Sequence, residues 1–417
     1  MAMTNELFDR MDNEVEDLGK YKPGGYHPVV LGEVLPKPST SKSRKPRYWI
    51  LQKLGHGAFA TVWLAKDLLG SLGYVALKIN ISRITGENNE IQILQWLQNS
   101  DHEDRLGYRN VIHILDDFTI QGPNGTHECI VTEVVAPMKC FCDIPDFKPR
   151  VKELSLQLMM GLSYLHSQGV THGDLHYGNI AVSIPRLKEH SVESIMDLFD
   201  DPELIPVVAQ NPWNQTESVP AYVLQAGSLV RFLEEEAEKN ATFEPLCLKI
   251  MDFGNSFRKT DKRPPSNTPI QIRAPEVTFY ELSKGKVASD WNKPIDIWAA
   301  ACTIYHLNYD QSLLYGYGKG DGIIHRTLVL AGPLPPAWRP YWNLDKYCEK
   351  SGEKGGLDTE GFWAKQRIHG CGGPSQQDTD QLINLLRSML KVNPDDRPQA
   401  STLLSHAWFS QQKQNRT

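Results

Sequence analysis

This 417-residue sequence lacks the features that mark most membrane and secreted proteins. It has no apolar run of about 18 residues, so we expect no membrane-spanning helix. Its acidic N-terminal stretch has no apolar segment of the kind that secretory signals need. The seven Cys are odd in number and contain no CxxC pair, which argues against a disulfide framework and a structural zinc site. We therefore predict a reducing location, cytoplasmic and nuclear.

An excess of positive charge is also missing, because the formal net charge is −6. This balance argues against direct nucleic-acid binding and is compatible with basic partners. No internal repeat is present, which argues against a solenoid. With 40% hydrophobic and 23% charged residues, the composition is that of a globular protein with about two to three domain-sized units. We predict a monomer, since the motif-bearing regions account for the core.

The pattern of apolar residues changes along the chain and predicts an α+β fold in two parts. Residues 1–47 form a polar, partly disordered arm, in which the segment KYKPGGYHPVVLGEVL is apolar enough to pack. Residues 48–135 are typical of a small antiparallel β lobe with one helix. Residues 136–410 are typical of a large, mainly helical lobe with an insertion at about 183–247, and residues 411–417 form a tail. In the helix ENNEIQILQWLQNS, three apolar positions are expected to face the core: Ile91, Leu94 and Leu97.

A glycine-bearing turn lies between the first two predicted strands, in the sequence GHGAFATV. Glycine lets the backbone approach a phosphate closely because no Cβ intervenes. Gly55 and Gly57 are the candidate contacts, with Ala60 at the place of a third glycine and Val62 on the following strand. This signal is weak by itself, because glycine turns are common in hairpins.

A lysine lies on the next predicted strand, in the sequence VALK. Lys78 could pair with the α- and β-phosphates of a nucleotide, and an acidic residue of the following helix could hold it. We predict Glu90 as that partner, with Glu87 one turn earlier as the alternative. Ala76 is a further candidate contact of the nucleotide. A lysine at a strand edge without this role is the competing interpretation.

The sequence HGDLHYGN carries the strongest chemical signal. A hydroxyl nucleophile needs a carboxylate that orients it and accepts its proton, and Asp174 can supply that carboxylate. Asn179, and Asp252 in the sequence DFG, offer oxygen ligands for Mg²⁺ that bridges the phosphates. The four motifs stand in this order on the predicted elements, which argues against coincidence.

Further motifs give the chain a resemblance to the eukaryotic protein kinases over residues 48–410. The sequence APE at 274–276, the sequence DIW at 296–298 and Arg397 are similar to three structural motifs of that superfamily. An arginine directly before APE, here Arg273, is similar to the pattern of the CMGC-type branch of kinases. The sequences GGYHPV and GENNEIQILQWL resemble the SR-protein kinases, which also carry an insertion after the catalytic loop.

The resemblance implies a two-lobed protein-kinase-like fold and an ATP-dependent serine/threonine kinase that uses Mg²⁺. It implies basic protein substrates in which serine of Arg-Ser repeats receives the γ-phosphoryl group. It also implies a buried structural ion pair between Glu276 and Arg397. It places Thr132 at the back of the adenine pocket. Glu133 and Val135 would form backbone hydrogen bonds with the adenine.

The chain departs from the usual kinase pattern at two positions of the catalytic loop. Gly173 stands where many kinases have an arginine that holds a phosphorylated activation loop, so we expect a loop ordered without phosphorylation. His176 replaces a lysine, and we expect a weaker phosphate ligand whose charge changes near neutral pH. In the activation segment, Thr268 lies one place before the usual threonine position, which Pro269 occupies.

Two other functions compete with a protein kinase. A nucleotide-binding pseudokinase or scaffold is suggested by Ala60, Gly173 and His176, although Lys78, Asp174, Asn179 and Asp252 are intact. HGDLHYGN also resembles small-molecule phosphotransferases, but these lack the APE, DIW and late-arginine motifs. The acidic run at 234–238 is expected to be a solvated helix face, with docking of Arg-rich peptides as the alternative.

Overall fold

The structure is a computed structural model, and the chain forms two compact units. The structure describes residues 15–37, 44–86, 89–100, 106–141, 148–199, 202–209, 216–239, 246–261, 263, 268–314, 320–352, 357–368 and 375–410. The first unit comprises Met1–Gln98, Ile112–Phe141 and Val182–Leu246, and the second Asn99–Val111, Cys142–Ala181 and Cys247–Thr417. The predicted tail and part of the predicted arm lie outside the described residues. No helix in the described stretches has the length and apolarity needed to cross a membrane.

Strands predominate in the first part of the described chain and α-helices in the last part. The strands are β1 (Val34–Leu35), β2 (Tyr48–His56), β3 (Ala60–Asp67), β4 (Tyr74–Asn80), β5 (Ile114–Gly122), β6 (Gly125–Thr132), β7 (Val135–Pro137), β8 (Val170–Thr171), β9 (Ile180–Ser183), β10 (Leu204–Pro206), β11 (Tyr222–Leu224), β12 (Leu248–Ile250) and β13 (Phe257–Arg258). The α-helices are α1 (Glu90–Asn99), α2 (Val151–Ser167), α3 (Val192–Met196), α4 (Val230–Lys239), α5 (Pro275–Leu282), α6 (Pro294–Tyr309), α7 (Asp321–Ala331), α8 (Leu344–Ser351), α9 (Thr359–Ile368), α10 (Gln376–Met389), α11 (Ala400–Leu403) and α12 (Ala407–Ser410).

A six-stranded antiparallel sheet forms the frame of the first unit, in the order β1-β2-β3-β4-β6-β5. The strands are rich in β-branched and aliphatic residues, and every second side chain points into one core. This core includes Leu77, Ile79 and Val131. The predicted small antiparallel sheet is confirmed. Helix α1 buries Ile93, Leu94 and Leu97, whereas Ile91 is only partly covered, so the expected core face was wrong at one position.

The arm and the insertion both pack in the first unit. Val15, Leu18 and Tyr21 of the arm share a buried cluster with Val207 and Val223 of the insertion. Strands β10 and β11 pair antiparallel within the insertion. The predicted packing of part of the arm is therefore seen, and the described parts of the insertion belong to the same unit as the sheet.

His27 is a buried neutral side chain of the arm. It is 5% exposed, its ring centroid lies 5.0 Å from that of His127, and its Nδ1 atom has no hydrogen-bond partner among the described residues. Burial lowers the pKa of His27 to about 3, and the proximity of His127 and Lys37 lowers it further. The unfolded chain, in contrast, accepts this proton near pH 6.5.

We expect acid to destabilise the protein through His27. Below about pH 6.5 the unfolded state binds one proton more than the folded state, so the free energy of unfolding falls as pH falls. We expect a loss of about 1.4 kcal/mol from His27 alone between pH 7.5 and pH 5.5, and urea unfolding at the two pH values would measure it. His27→Phe keeps a ring that cannot titrate and should lose that part of the pH dependence. An equal pH dependence in both proteins would contradict this account.

The second unit is mainly helical and is built around α6. This helix begins with Pro294 at its first position, where no intrahelical hydrogen bond is lost. It is buried on nearly all sides, as its mostly apolar sequence predicts, and it packs against α2 and α10. The predicted helical part of the fold is confirmed.

Candidate active site

Lys78 on β4 forms an ion pair with Glu90, the first residue of α1. The Lys78 Nζ atom lies 2.7 Å from Oε1 and 2.8 Å from Oε2 of Glu90, so it bridges both carboxylate oxygens. The Glu90 side chain is 4% exposed and that of Lys78 is 22% exposed. A buried carboxylate thus fixes a cation that stays accessible to an anion. The alternative partner, Glu87, lies outside the described residues.

The glycine-bearing turn joins β2 to β3. The Gly57 N–H donates to the Ala60 carbonyl at 2.9 Å, and Gly55 pairs with Val62 across the two strands. A Cβ atom added at Gly55 or Gly57 would meet no atom within 4 Å. The packing of the protein therefore does not require either glycine, and the space beside them is available to a ligand.

The sheet register brings four of the predicted nucleotide contacts to one face. Val62 is opposite Lys78 across β3 and β4, and Ala76 is opposite Thr132 across β4 and β6. Directly opposed residues share a face, and so do residues two apart on one strand. Val62, Lys78, Ala76 and Thr132 therefore line the same side of the sheet.

The chain leaves the sheet after β6 through Thr132 and Glu133 and enters β7 at Val135. The Thr132 hydroxyl donates to the Glu133 carbonyl at 3.2 Å, and the His113 N–H donates to Glu133 Oε1 at 3.4 Å. These bonds fix the segment locally. The adenine contacts of Thr132, Glu133 and Val135 stay predictions.

In the second unit, a buried aspartate of α6 holds the loop that carries Asp174. Asp296 is 1% exposed and accepts the His172 N–H at 2.8 Å and the Gly173 N–H at 2.9 Å. His166 Nε2 lies 3.0 Å from the same carboxylate. Because both carboxylate oxygens bind the backbone just before Asp174, the position of that residue is fixed.

The Asp174 carboxylate has one oriented oxygen and one without a partner. Asn255 Nδ2 donates to Asp174 Oδ2 at 3.2 Å, while Oδ1 is buried and has no hydrogen-bond partner among the described residues. Asn179 Nδ2 donates to the Asp174 carbonyl at 2.8 Å. A general base needs this combination of fixed orientation and a lone pair directed at no protein group. Sequence reasoning missed Asn255, although its place directly after DFG was a usable signal.

Asp252 follows β12 with an exposed side chain and a φ of 66°, a left-handed conformation that few residues other than glycine adopt. The Met251 N–H donates to the Asn179 carbonyl at 3.0 Å, which ties the two predicted metal ligands together. Mg²⁺ in nucleotide sites takes one or two carboxylates and completes its shell with phosphates and water. No group of three or more His, Cys, Asp or Glu among the described residues could hold a metal alone. Asn179 and Asp252 therefore fit an Mg²⁺ ion shared with a nucleotide.

Gly173 cannot be replaced by a larger residue without moving the backbone. Its φ is 82°, and a Cβ atom would lie 2.5 Å from the Asn255 carbonyl oxygen. The Gly173 carbonyl accepts the Thr268 hydroxyl at 2.9 Å, and the Arg273 guanidinium donates to the Thr268 carbonyl at 3.1 and 2.9 Å. Around Thr268 the activation segment is therefore held by hydrogen bonds that need no phosphate.

His176 caps the turn that follows it. The Gly178 N–H donates to His176 Nδ1 at 3.0 Å, which requires an unprotonated Nδ1. Burial lowers the pKa of His176, although nearby Asp174 and Asp252 favour the charged form. The hydrogen bond from Gly178 and the lowered pKa both favour the neutral form of His176.

Glu276 of α5 and Arg397 form a buried, two-pronged ion pair. Arg397 Nη1 donates to Oε1 at 2.6 Å and Nη2 to Oε2 at 2.7 Å, and both side chains are at most 1% exposed. The guanidinium also lies 5.3 Å from the Trp298 ring centroid of α6. The predicted structural pair is confirmed.

The acidic run at 234–238 lies on α4, where part of its charge is neutralised. Glu236 is 3.3 Å from His190 Nε2 and 3.9 Å from Arg186, and Glu235 is 3.9 Å from Arg231. Internal partners thus favour a solvated structural face here over a docking site.

Comparison with known proteins gives concordant results. The protein kinase domain family matches residues 233–409. The serine/threonine-protein kinase SRPK of Physarum polycephalum is 28% identical over 98% of this chain and 93% of that protein. SKY1 of Saccharomyces cerevisiae is 35% identical over 40% of this chain and 23% of its own length, and human SRSF protein kinase 3 is 33% identical over 44% and 32%.

A solved structure, the PF14_0431 kinase domain, shares the fold with a TM-score of 0.55 and 16% identity, over 92% of this chain and 98% of its own. Part of the chain therefore matches the protein kinase domain family, the structure has the fold of a solved kinase domain, and the sequence is similar to proteins named serine/threonine-protein kinases.

Proposed function

We propose that the protein transfers the γ-phosphoryl group of Mg·ATP to serine in Arg-Ser-rich proteins. One observation carries the catalytic part of this proposal. Asp174 has one carboxylate oxygen fixed by Asn255 and a second, buried oxygen without a partner among the described residues. That second oxygen is suited to orient a serine hydroxyl and accept its proton.

The remaining predicted site residues take roles that follow from their chemistry. Lys78, held by Glu90, binds the α- and β-phosphates, and the glycine-bearing turn allows backbone N–H groups to approach phosphate oxygens. Asn179 and Asp252 would hold Mg²⁺, which would neutralise phosphate charge when bound. As the serine O–H bond breaks, its proton goes to Asp174, the new O–P bond forms and ADP leaves.

The proposed substrate class rests on the similar proteins and on the charge of the chain. Human SRSF protein kinase 3 is among the similar proteins, and the formal charge of −6 favours basic partners. Protein kinases as a family use ATP and Mg²⁺. The cytoplasmic and nuclear location and the monomeric state stay predictions.

The test compares two serine repeat peptides of equal length, one with Arg and one with Lys between the serines. Guanidinium groups bind carboxylates through two parallel hydrogen bonds that an ammonium group cannot form. We expect kcat/KM to be at least about tenfold higher for the Arg-Ser peptide, which is about 1.4 kcal/mol of discrimination. Initial rates of phosphate transfer from Mg·ATP measure it, with Asp174→Ala as the background. Equal use of both peptides would exclude the Arg-Ser specificity while leaving the kinase activity intact.

A further inference from the structure

The arm contacts the tip of the glycine-bearing turn within the first unit. The Tyr26 hydroxyl donates to the Gly57 carbonyl at 2.6 Å, and Lys20 Nζ donates to the neighbouring Ala58 carbonyl at 3.4 Å. Tyr26 is 2% exposed, so its ring is part of the core and its position is well defined. Two successive carbonyls of the turn are thus bonded to one segment of the arm.

The sequence GGY is built to hold Tyr26 in this place. Gly24 has a φ of 85°, and a Cβ atom at Gly25 would lie 1.7 Å from the Lys20 carbonyl oxygen, so both positions require glycine. The Gly24 N–H donates to the Asn124 carbonyl at 2.8 Å, and Asn124 Nδ2 donates to the Tyr26 carbonyl at 2.7 Å. The backbone that presents the Tyr26 hydroxyl is therefore anchored on both sides.

The arm itself is fixed to the sheet by a buried ion pair. Glu16 pairs with Lys53 of β2, and both side chains are at most 1% exposed. The Tyr21 hydroxyl donates to Glu16 at 2.6 Å, and the Tyr21 ring lies 5.5 Å from that of Tyr26. Lys53 also donates to the Leu224 carbonyl of the insertion at 2.9 Å. Arm, insertion and sheet form one packed assembly around Tyr26.

The Tyr26 bond sets the orientation of a peptide group that can meet a phosphate. In a trans peptide the C=O and the following N–H point in opposite directions. Because the Gly57 carbonyl points at Tyr26, the Ala58 N–H points away from the arm. The Gly57 N–H is already used by Ala60. Burial raises the pKa of Tyr26 to about 12, so the hydroxyl keeps its proton and remains a donor.

We infer that Tyr26 is a positioning residue for the nucleotide, which fixes the Gly57–Ala58 peptide so that the Ala58 N–H is presented to a phosphate oxygen. This inference rests on the proposed function, since it assumes that the turn receives nucleotide phosphates. A turn held in the binding orientation loses less conformational freedom when the ligand binds. Removing the hydroxyl therefore weakens nucleotide binding without touching any group that takes part in phosphoryl transfer.

The test is Tyr26→Phe, which removes one oxygen and keeps the buried ring. The matched control is Tyr74→Phe in the same unit, whose hydroxyl donates to the His190 carbonyl at 3.0 Å, away from the turn. We expect KM for ATP to rise about threefold to tenfold in Tyr26→Phe, the effect of one hydrogen bond, with a smaller change in kcat. Hydrogen exchange of the amides at 55–60 should accelerate only in Tyr26→Phe.

Two results would overturn the inference: an unchanged KM for ATP in Tyr26→Phe, or equal acceleration of exchange in both variants. A wild-type protein that transfers no phosphate would remove the proposed function instead. In that case, calorimetric titration with Mg²⁺ and a non-hydrolysable ATP analogue measures whether Tyr26→Phe weakens nucleotide binding. A weaker Kd in Tyr26→Phe alone supports the positioning role, and equal Kd values, or no binding to the wild type, exclude it.

Discussion

Asp174→Asn is expected to lower kcat for peptide phosphorylation by about 10²–10⁴-fold, the usual contribution of a positioned general base. The substitution keeps the shape of the side chain but removes the negative charge. It also removes the carboxylate that we propose accepts the serine proton through Oδ1, the atom with no hydrogen-bond partner among the described residues. The bond from Asn179 goes to the Asp174 backbone carbonyl and remains in place. KM for ATP should therefore change little, and steady-state kinetics would show the loss in kcat.

An exposed carboxylate of the same unit provides the control for that experiment. Asp396 lies on the surface of the second unit, and Asp396→Asn removes one negative charge without touching the catalytic loop. Thermal unfolding should be the same for both variants and the wild type. If Asp174→Asn retains kcat within about threefold of the wild type, Asp174 is not the base, because a general base contributes much more than that.

Residues whose role depends on a short, local motif were predictable from the sequence. Lys78 and Glu90 come together because a strand leads into a helix whose first residue is acidic. Asp174 and Asn179 lie on one short loop, so their spacing alone brings them close. In each case the chain itself supplies the proximity, and a chemical requirement for phosphate or metal selects the residue types.

Contacts between distant parts of the chain were not predictable in the same way. Tyr26 contacts Gly57 only because the arm folds against the sheet. The apolar residues of this segment predicted that it packs, but not which residues it contacts. The insertion was predicted from the sequence, but its packing against the arm depends on a buried cluster of residues from distant segments. Specific hydrophobic partners depend on shape complementarity, which one sequence does not encode in any short window.

The departures at the catalytic loop gained a physical explanation from the structure. Gly173 is a packing requirement, since the Asn255 carbonyl occupies the space where a Cβ would lie. Gly173 replaces the arginine of many kinases, and its own carbonyl accepts a hydrogen bond from the Thr268 hydroxyl. His176 serves as a neutral acceptor in the turn. None of these three features removes a group that phosphoryl transfer needs, which argues against the pseudokinase alternative.

Glu276→Gln is expected to destabilise the second unit by about 3–5 kcal/mol, because it leaves the Arg397 guanidinium buried with no counter-charge. Arg397→Met should cost at least as much. It leaves the Glu276 carboxylate buried and unpaired, and it removes the donor from three carbonyls, those of Pro294, Lys391 and Val392. Urea unfolding monitored by tryptophan fluorescence measures both losses, since Trp298 lies against the guanidinium.

The exposed pair of Arg387 and Glu360 separates the effect of burial from the effect of charge. Their side chains are 31% and 74% exposed, and water solvates whichever partner remains. Glu360→Gln makes the same chemical change as Glu276→Gln and should leave the unfolding transition in place. Equal shifts in both variants would mean that desolvation is not the cause. A large shift in Glu276→Gln alone would show that the ion pair with Arg397 holds α5 and, with it, the end of the activation segment. It would also show that this pair is strong because it is buried.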